Sequence, residues 1–548
     1  MNMIEHGHRE QESLYSQRQQ HPNEGDDNYQ KKLEEVVVEN DDESDLPEHG
    51  LSMRKACRHC LSVFHDLEPR LEQHRKRLNK FDSTFVAEAR RLSSDHQQNR
   101  DRACREFWAS LNKSDTDVSG LIIPHFHFKS GAARVEKEQE CEFQQEFHDR
   151  NLPCLVTGLE AISFSLVNQS WRTHYVAKDS SIQEGSEVMD KGVASEINPR
   201  WFLETLGGDC EVPLRYNADP SSFSLDEEGR ADECQTRKVT MRDWIQMLQS
   251  YDGGNNEVVE CTEDSPKPIY YLKDWHLQQI LECKRNHTSL QSSTELSSQL
   301  YVCPTIFPHD LLNSFLTKFT KGDYRFCYWG PANSSTLRHS DVLHSFSWSY
   351  NVQGTKEWTF FSPFDDHKTL KMIQKTGQAI FVPATWQHQV INLEETISIN
   401  HNWITTANID LTWQCLMAEM VAIRDELMKW QGDNSKMGED TEAYENMLRG
   451  CVGLDVSSFF FMALLRLVDV IKILLDHLGE SDSGNDQERK EILFGVFRLT
   501  AILDEVMTAD EDLVQLNGRL EATMQSDMLA RKGAHMAKFL ITWVNSLS

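Results

Sequence analysis

Apolar and polar positions change period along this chain, and the changes divide it into regimes. From residue 51 to about 120 the apolar residues recur at helical spacing. Leu61, Phe64, Leu67 and Leu71 share one face, and Phe107, Trp108 and Leu111 mark a later helix. From about 268 to 404 the spacing becomes that of short strands separated by turns. Ser345–Val352 and Lys356–Phe361 read as strands joined by a Gln353-Gly354-Thr355 turn. Ala379–Pro383, Trp386–Ile391 and Thr396–Trp403 are further strands, with a turn over Asn392–Glu395. From 405 to 548 helical spacing returns, with helices expected over Leu411–Trp430, Phe459–Leu478, Arg489–Val506, Glu511–Ser526 and Ala530–Val544, and a linker over Gly479–Asn485.

Residues 121 to about 280 are mixed. Leu121–Ile123 and Pro153–Gly158 read as strands, Glu142–Arg150 as a helix, and Trp171 falls in another. A helix carrying Trp201, Phe202 and Leu203 opens after Asn198-Pro199, and Thr240 with Asp243 three residues on is a helix N-terminal signature. Segments 178–196 and 251–267 are Ser-, Gly-, Asp- and Glu-rich loops. Residues 1–50 are polar and acidic, ending in Glu39-Asn40-Asp41-Asp42-Glu43-Ser44-Asp45, and hold too little apolar surface to order themselves. The expected organisation is a disordered tail (1–50), a helical extension (51–120), a domain over 121–404 with its barrel core at about 268–404, and a C-terminal helical region (405–548).

Charge and cysteine usage narrow the function classes. A net charge of −30 argues against direct nucleic-acid binding, which needs a basic face. The 13 cysteines are odd in number and scattered, as in reduced cytoplasmic or nuclear proteins rather than secreted disulfide scaffolds. Met1–Gln20 has no apolar signal core. The most apolar run, Phe459–Leu475, carries Arg466, Asp469 and Lys472, so no membrane span is expected. Cys57-Arg58-His59-Cys60 with His65 invites a zinc reading, but no second cysteine pair follows at finger spacing, and buried thiols on a helix are the plainer account.

The chemistry concentrates between Tyr324 and Trp403. In a strand, residues i and i+2 point to one side, so His339 and Asp341 can reach one metal while Ser340 turns away. A third ligand would then come from a facing strand, and His388 is placed for it. Two imidazoles and a carboxylate with open positions suit Fe(II). A His-x-Asp triplet alone is weak evidence in a chain with 22 histidines; its setting among short β-rich strands describes a double-sheet jelly roll of the cupin type. The fold class is therefore α+β, a double-stranded β-helix with helices on both sides in sequence.

Gly330-Pro331, Thr336, His339, Asp341, Trp348, Gly354, Lys356, Trp358, Phe381-Val382-Pro383, Trp386, His388, Val390 and Asn392-Leu393, in that order and spacing, resemble the JmjC family of iron- and 2-oxoglutarate-dependent oxygenases. The resemblance runs from about 140 to about 455. Tyr271-Leu272-Lys273-Asp274-Trp275-His276-Leu277 and Thr396–Trp403 are similar to the branch that hydroxylates a lysine of the eukaryotic translation release factor and promotes termination. The resemblance implies Fe(II) on His339, Asp341 and His388, 2-oxoglutarate chelating the iron, and O₂ as oxidant. It implies Lys356 on the far carboxylate of the co-substrate, with Thr336, Tyr271 and Asn400 nearby. The alternatives at these positions are a solvated hairpin-edge lysine, a loop hydroxyl, a core aromatic and a structural amide. His344 and His401 are extra histidines, read as core or surface residues, and Trp348, Trp358 and Trp386 as core.

The implied partner is a protein substrate, the release factor first, in the cytoplasm and also the nucleus. The apolar faces of the C-terminal helices need a partner surface, within the chain or in a homodimer. An N-methyl-lysine demethylase of histone tails and a non-catalytic scaffold are the competing functions.

Overall fold

The computed structural model describes residues 48–78, 83–111, 124–176, 193–217, 236–252, 269–287, 300–365, 367–431, 441–479, 486–508 and 528–547. The acidic segment before residue 48, the expected strand 121–123, most of the loops 178–196 and 251–267, the linker after Gly479 and the expected helix Glu511–Ser526 lie outside the described residues. Among the described residues, those from Lys55 onward form one compact unit; the divisions expected near 120 and 404 fall inside it.

In chain order the elements are α1 (Glu48–Leu78), α2 (Ser83–Ser110), β1 (His125–His127), α3 (Ala133–Phe143), β2 (Cys154–Thr157), α4 (Ser165–Ser170), β3 (Arg172–Val176), β4 (Val193–Ile197), α5 (Pro199–Leu206), β5 (Glu211–Asn217), β6 (Thr236–Thr240), α6 (Met241–Asp252), β7 (Ile269–Trp275), α7 (Leu277–His287) and α8 (Leu311–Phe319). Eight strands follow: β8 (Arg325–Gly330), β9 (Ser335–His339), β10 (Phe346–Gln353), β11 (Lys356–Phe361), β12 (Thr369–Gln374), β13 (Ala379–Val382), β14 (His388–Asn392) and β15 (Thr396–Trp403). The chain closes with α9 (Ile409–Gln431), α10 (Thr441–Val452), α11 (Val456–Gly479), α12 (Asp486–Thr508) and α13 (Met528–Asn545).

Strands β8 to β15 make the jelly roll. One sheet runs β12-β11-β14-β9, and the other contains β13-β10-β15-β8. The second sheet is extended by β1-β2 beyond β13 and by β7-β5-β6 beyond β8, giving nine strands in all. Alternation then sorts each strand of the larger sheet. On β15, Ile397, Ile399 and Trp403 join the core beneath the surrounding helices, together with Trp348 and Tyr350 of β10 and Trp329 of β8. Their neighbours Ser398, Asn400, Ser349 and Asn351 take the opposite, inner face. The inner face is apolar at one end, where Trp358, Phe360, Leu370, Met372, Ile380, Val382, Trp386 and Val390 pack together.

Several local expectations hold. The strand limits of β11 and β15 are as anticipated. Gly354 has φ 95°, and a Cβ there would run into Thr396 and the Glu395 carbonyl, so this turn requires glycine. At the start of α6, Thr240 Oγ1 accepts from the Asp243 backbone N–H at 3.1 Å, the cap that the Thr240–Asp243 spacing predicts. Other expectations are corrected. The helix expected over Glu142–Arg150 is instead the end of α3 followed by a π-helical turn, Gln144–His148. Trp171 follows α4 as its C-cap rather than lying within it. Strand β12 and helix α10 were not anticipated. β12 nonetheless alternates, with Leu370, Met372 and Gln374 buried and Thr369, Lys371 and Ile373 exposed.

The flanking helices pack on one another. α12 lies against α2, α11 and α13, and α11 also meets α8. Trp413 of α9 stacks on Phe459 of α11 at 5.5 Å. Where the barrel chain leaves β15, Asp410 takes Arg100 of α2 at 2.9 Å and Arg498 of α12 at 2.6 Å, all with little solvent exposure. Removing the carboxylate would leave two buried guanidinium groups facing each other. Asp410→Ala is therefore expected to lower the unfolding free energy by about 3–5 kcal/mol, read from urea denaturation followed by tryptophan fluorescence.

Candidate metal and co-substrate site

The register between β14 and β9 builds the site. His388 lies directly opposite His339 in the antiparallel ladder, with Val390 opposite Thr336 two residues further on. The two imidazole centroids are 4.3 Å apart. The third ligand therefore comes from the hydrogen-bonded neighbour of β9 in the same sheet, not from a strand facing it across the barrel as the spacing had suggested. Neighbouring strands bring paired side chains closer than facing sheets do.

Both histidines are held in the same way. A backbone carbonyl two residues earlier accepts from Nδ1 in each case, Leu337 at 2.7 Å for His339 and Trp386 at 3.0 Å for His388. This assigns the Nδ1–H tautomer and leaves each Nε2 lone pair free for a metal. His339 Nε2 is 3.9 Å from Asp341 Oδ1. One ligand atom from each of His339, Asp341 and His388 lies within 4.8 Å of the others. Ser347 Oγ donates to the second oxygen, Asp341 Oδ2, at 2.5 Å, which fixes the carboxylate rotamer. Burial and the adjacent His388 push the His339 pKa down to about 4, so the ring is neutral and able to coordinate at ordinary pH.

Asp341 lies just past the end of β9, and the chain turns sharply after it. Leu343 (φ 58°) and His344 (φ 47°) both adopt the left-handed region, which costs such residues of order 1–3 kcal/mol each. Neighbours over-determine this turn. Leu343 is fully buried, His344 Nδ1 meets the Leu411 carbonyl at 3.2 Å, and the Asn408 amide donates to the His344 carbonyl at 3.2 Å. His344 is thus a structural clamp between the ligand turn and α9.

Lys356 begins β11, an inner strand, and is buried. The solvated-edge alternative does not describe it. Its Nζ donates to Ser398 Oγ at 2.6 Å across the barrel, and Asn400 Nδ2 donates to the same oxygen at 3.1 Å. Burial pushes the Lys356 pKa down to about 7; the groups that act on it electrostatically are Cys327 and Lys273, and no carboxylate is among them. A buried ammonium without a counter-ion is costly, and it is satisfied by an anion placed beside it. Ser349 Oγ and Asn351 Oδ1, on the same inner face, are buried without a hydrogen-bond partner. A buried cation and orphaned polar atoms on the inner face of the barrel fit a small carboxylate-bearing ligand there.

The other expected residues divide. Tyr271 is buried, hydrogen-bonds Asn392, and passes so close to Gly330 that a Cβ at Gly330 would meet its ring at 2.6 Å. Asn392 lies opposite Lys356 in the β11–β14 ladder, so Tyr271 reaches the Lys356 end of the chamber. Asn400 joins through Ser398. Thr336 is half-buried, on the strand that carries His339. His401 faces the other way: it binds Asp310 at 2.7 Å and Tyr301 at 2.8 Å, tying β15 to the start of α8. Cys57 and Cys60 are buried on the inward face of α1, and His59 meets Lys318 instead, so no zinc cluster forms there among the described residues.

Sequence reasoning assigned no role at the site to Ser347, Ser398 or Asn392. The signal existed in part. Ser347, Ser349 and Asn351 alternate with Phe346, Trp348 and Tyr350, so one side of a fully buried strand is polar.

The family model "JmjC domain, hydroxylase" matches residues 364–403, which include His388 but neither His339 nor Asp341. The chain is 28% identical over 371 residues to the 2-oxoglutarate and iron-dependent oxygenase JMJD4 of Mus musculus, covering 60% of this chain and 78% of that one. It is 27% identical over 454 residues to the JMJD4 homolog of Drosophila melanogaster, covering 75% and 97%. It is 30% identical over 288 residues to the arginine-specific demethylase JMJ20 of Arabidopsis thaliana, covering 44% and 57%.

If the three donors act as one set, His388→Ala abolishes tight Fe(II) or Mn(II) binding measured by calorimetry. Ser347→Ala, which frees the carboxylate rotamer without removing a donor, weakens metal affinity about tenfold.

Proposed function

We propose, from its similarity to the JmjC-type iron- and 2-oxoglutarate-dependent oxygenases, that this chain is a protein hydroxylase whose substrate is a lysine of the translation release factor. The observation that carries the reading is the pairing of a three-donor metal site with an uncompensated buried lysine in one barrel. His339, Asp341 and His388 would hold Fe(II). Bound iron and 2-oxoglutarate supply the oxidation: one oxygen atom of O₂ goes into succinate as CO₂ leaves, and the other into a substrate C–H bond.

The protein's own part is placement and exclusion. Lys356 binds the far carboxylate by a charge-assisted hydrogen bond, and Ser398, Asn400 and Tyr271 shape the chamber around it. Thr336 lies on the strand beside the metal ligands and supplies a hydroxyl to the same ligand. Trp358 stacks against His388 at 5.5 Å, and the apolar end of the barrel behind it keeps water from the reacting centre. Among the described residues no helix is long and apolar enough to cross a membrane. A release-factor substrate places the enzyme in the cytoplasm, with the nucleus as a second compartment. The acidic surface charge suits a basic protein partner through long-range steering.

A second reading has one observation in its favour: a relative is named as an arginine-specific demethylase. The same oxidation at an N-methyl carbon yields formaldehyde. Incubation with Fe(II), 2-oxoglutarate and a release-factor fragment separates the two. A hydroxylase gives succinate and a +16 Da lysine by mass spectrometry, absent in Asp341→Ala. Formaldehyde from methylated peptides, with no +16 Da product, would overturn the hydroxylase assignment.

Lys356 also sets a pH dependence. Without ligand its pKa is about 7, below that of an unfolded lysine, so the unliganded fold gains stability as pH rises from 7 toward 10. Co-substrate binding needs the ammonium and must take up a proton above pH 7. The 2-oxoglutarate dissociation constant is therefore expected to rise by up to roughly tenfold per pH unit above neutrality. In Lys356→Arg, whose guanidinium stays charged, calorimetry should show that slope removed.

A further inference from the structure

The two sheets of the barrel differ in reach. The smaller ends at β9, whereas the larger continues past β8 into β7, β5 and β6. Register places the inward residues of the larger sheet in rows. Ser347 of β10 pairs with Asn402 of β15, Ser349 with Asn400, and Asn351 with Ser398; Asn400 pairs in turn with Phe326 of β8, and Ser398 with Tyr328. Residues paired in this way share a face. The first row touches the metal end, because Ser347 binds Asp341, and the last row holds the co-substrate lysine, because Ser398 binds Lys356. Phe326 lies in the row between them. Exposure rises along that row: Ser349 and Asn400 are buried, and Phe326 is only half-buried. The smaller sheet shows the same gradient, from buried His388 on β14 to His339 on β9, whose side chain is 37% exposed. Both sheets therefore open on the same flank, between β8 and β9.

The end of the barrel beyond Asp341 is closed by contrast. Leu343 is buried, His344 meets Leu411 of α9, the Asn402 amide donates to Ser345 Oγ at 3.1 Å, and Trp386 stacks on Trp108 of α2 at 5.3 Å. On the open flank, Tyr328 is already committed: its hydroxyl donates to Asp274 at 2.9 Å, and its ring centre lies 6.0 Å from Lys356 Nζ. Phe326 is flanked by rings, with His276 at 4.9 Å, Tyr324 at 6.0 Å and Tyr328 at 6.3 Å between centroids. His276 is held in place by Asp323, 2.6 Å from its Nδ1. A half-open aromatic wall of this kind takes the methylenes of a long aliphatic side chain. Resting on the oxygenase reading, we propose that the substrate side chain enters laterally, between β8 and β9, and that Phe326 is a specificity-determining residue on which the methylenes of a lysine-length chain lie as it approaches the metal.

The test uses the full chain. With Fe(II), 2-oxoglutarate and a release-factor fragment, Phe326→Ala should raise KM for the fragment about tenfold or more, the worth of an apolar contact of this size, while calorimetry finds Mn(II) and 2-oxoglutarate binding unaltered. Phe326→Leu, which keeps an apolar surface, should return KM to within about threefold. A second arm needs no substrate. Phe326→Cys, loaded with Mn(II) and capped with a benzyl thiosulfonate, should lose the Mn(II) enhancement of water-proton relaxation, because the cap fills the mouth. Val342→Cys, exposed beside Asp341 but away from that flank, should keep the enhancement when capped, as should wild type treated alike. Relaxation kept in capped Phe326→Cys, or lost in capped Val342→Cys instead, overturns the inference, as does Phe326→Ala weakening Mn(II) binding together with KM. A protein that shows the expected relaxation pattern but leaves the fragment unhydroxylated upholds the lateral mouth and overturns the release-factor assignment alone. Failure of the unmodified protein to bind Mn(II) overturns the oxygenase reading and the inference with it.

Discussion

The cross-strand pairing of His339 with His388 is the constraint on which the rest of the site depends. It sets two imidazoles side by side with centroids 4.3 Å apart, and the next inward position, Asp341, completes the donor set. A strand shifted by one residue presents its other face. Such a slip in β14 would turn Gln389 inward in place of His388, and it would move Asn392 from its place opposite Lys356. The apolar floor guards against the slip, since Val390 would then leave its place among Trp358, Phe360 and their neighbours. Packing at one end of the barrel thereby enforces geometry at the other.

The barrel interior is divided between stability and function. The apolar end resembles any close-packed core. The polar end does not: it contains a buried lysine held by a serine, and buried oxygens of Ser349 and Asn351 without partners. Each feature lowers the stability of the empty protein. Together they make the polar end of the barrel suited to a small dicarboxylate. Local rules of folding are broken where a ligand is meant to complete them.

The helices belong to this construction as well. The turn after Asp341 stays in a strained conformation because Leu343 is buried and because Asn408 and Leu411 meet His344. Asn408 and Leu411 lie at the start of α9, where Asp410 is fixed between Arg100 of α2 and Arg498 of α12. The segments before and after the barrel thus converge on the stretch that holds a metal ligand in place. Trp108 of α2, stacked on Trp386 at 5.3 Å, braces the strand entry to His388 in the same way.

The sequence by itself determined the strand alternation, the turn at Gly354, the candidate donors and the lysine, because these follow from short-range periodicity and residue chemistry. It also marked the helical regions before and after the barrel. Tertiary structure decided which strand lies beside which, so that His388 arrives from the neighbour of β9 rather than from across the barrel. It turned His401 outward to Asp310, buried Cys57 and Cys60 as thiols, and brought Ser347 and Ser398 to the site. The reason is physical: which way a side chain points along one strand is a local property with a period of two, whereas what it meets depends on partners distant in sequence, on bulges such as the one between Leu272 and Trp275 of β7, and on the helices that close around the sheets.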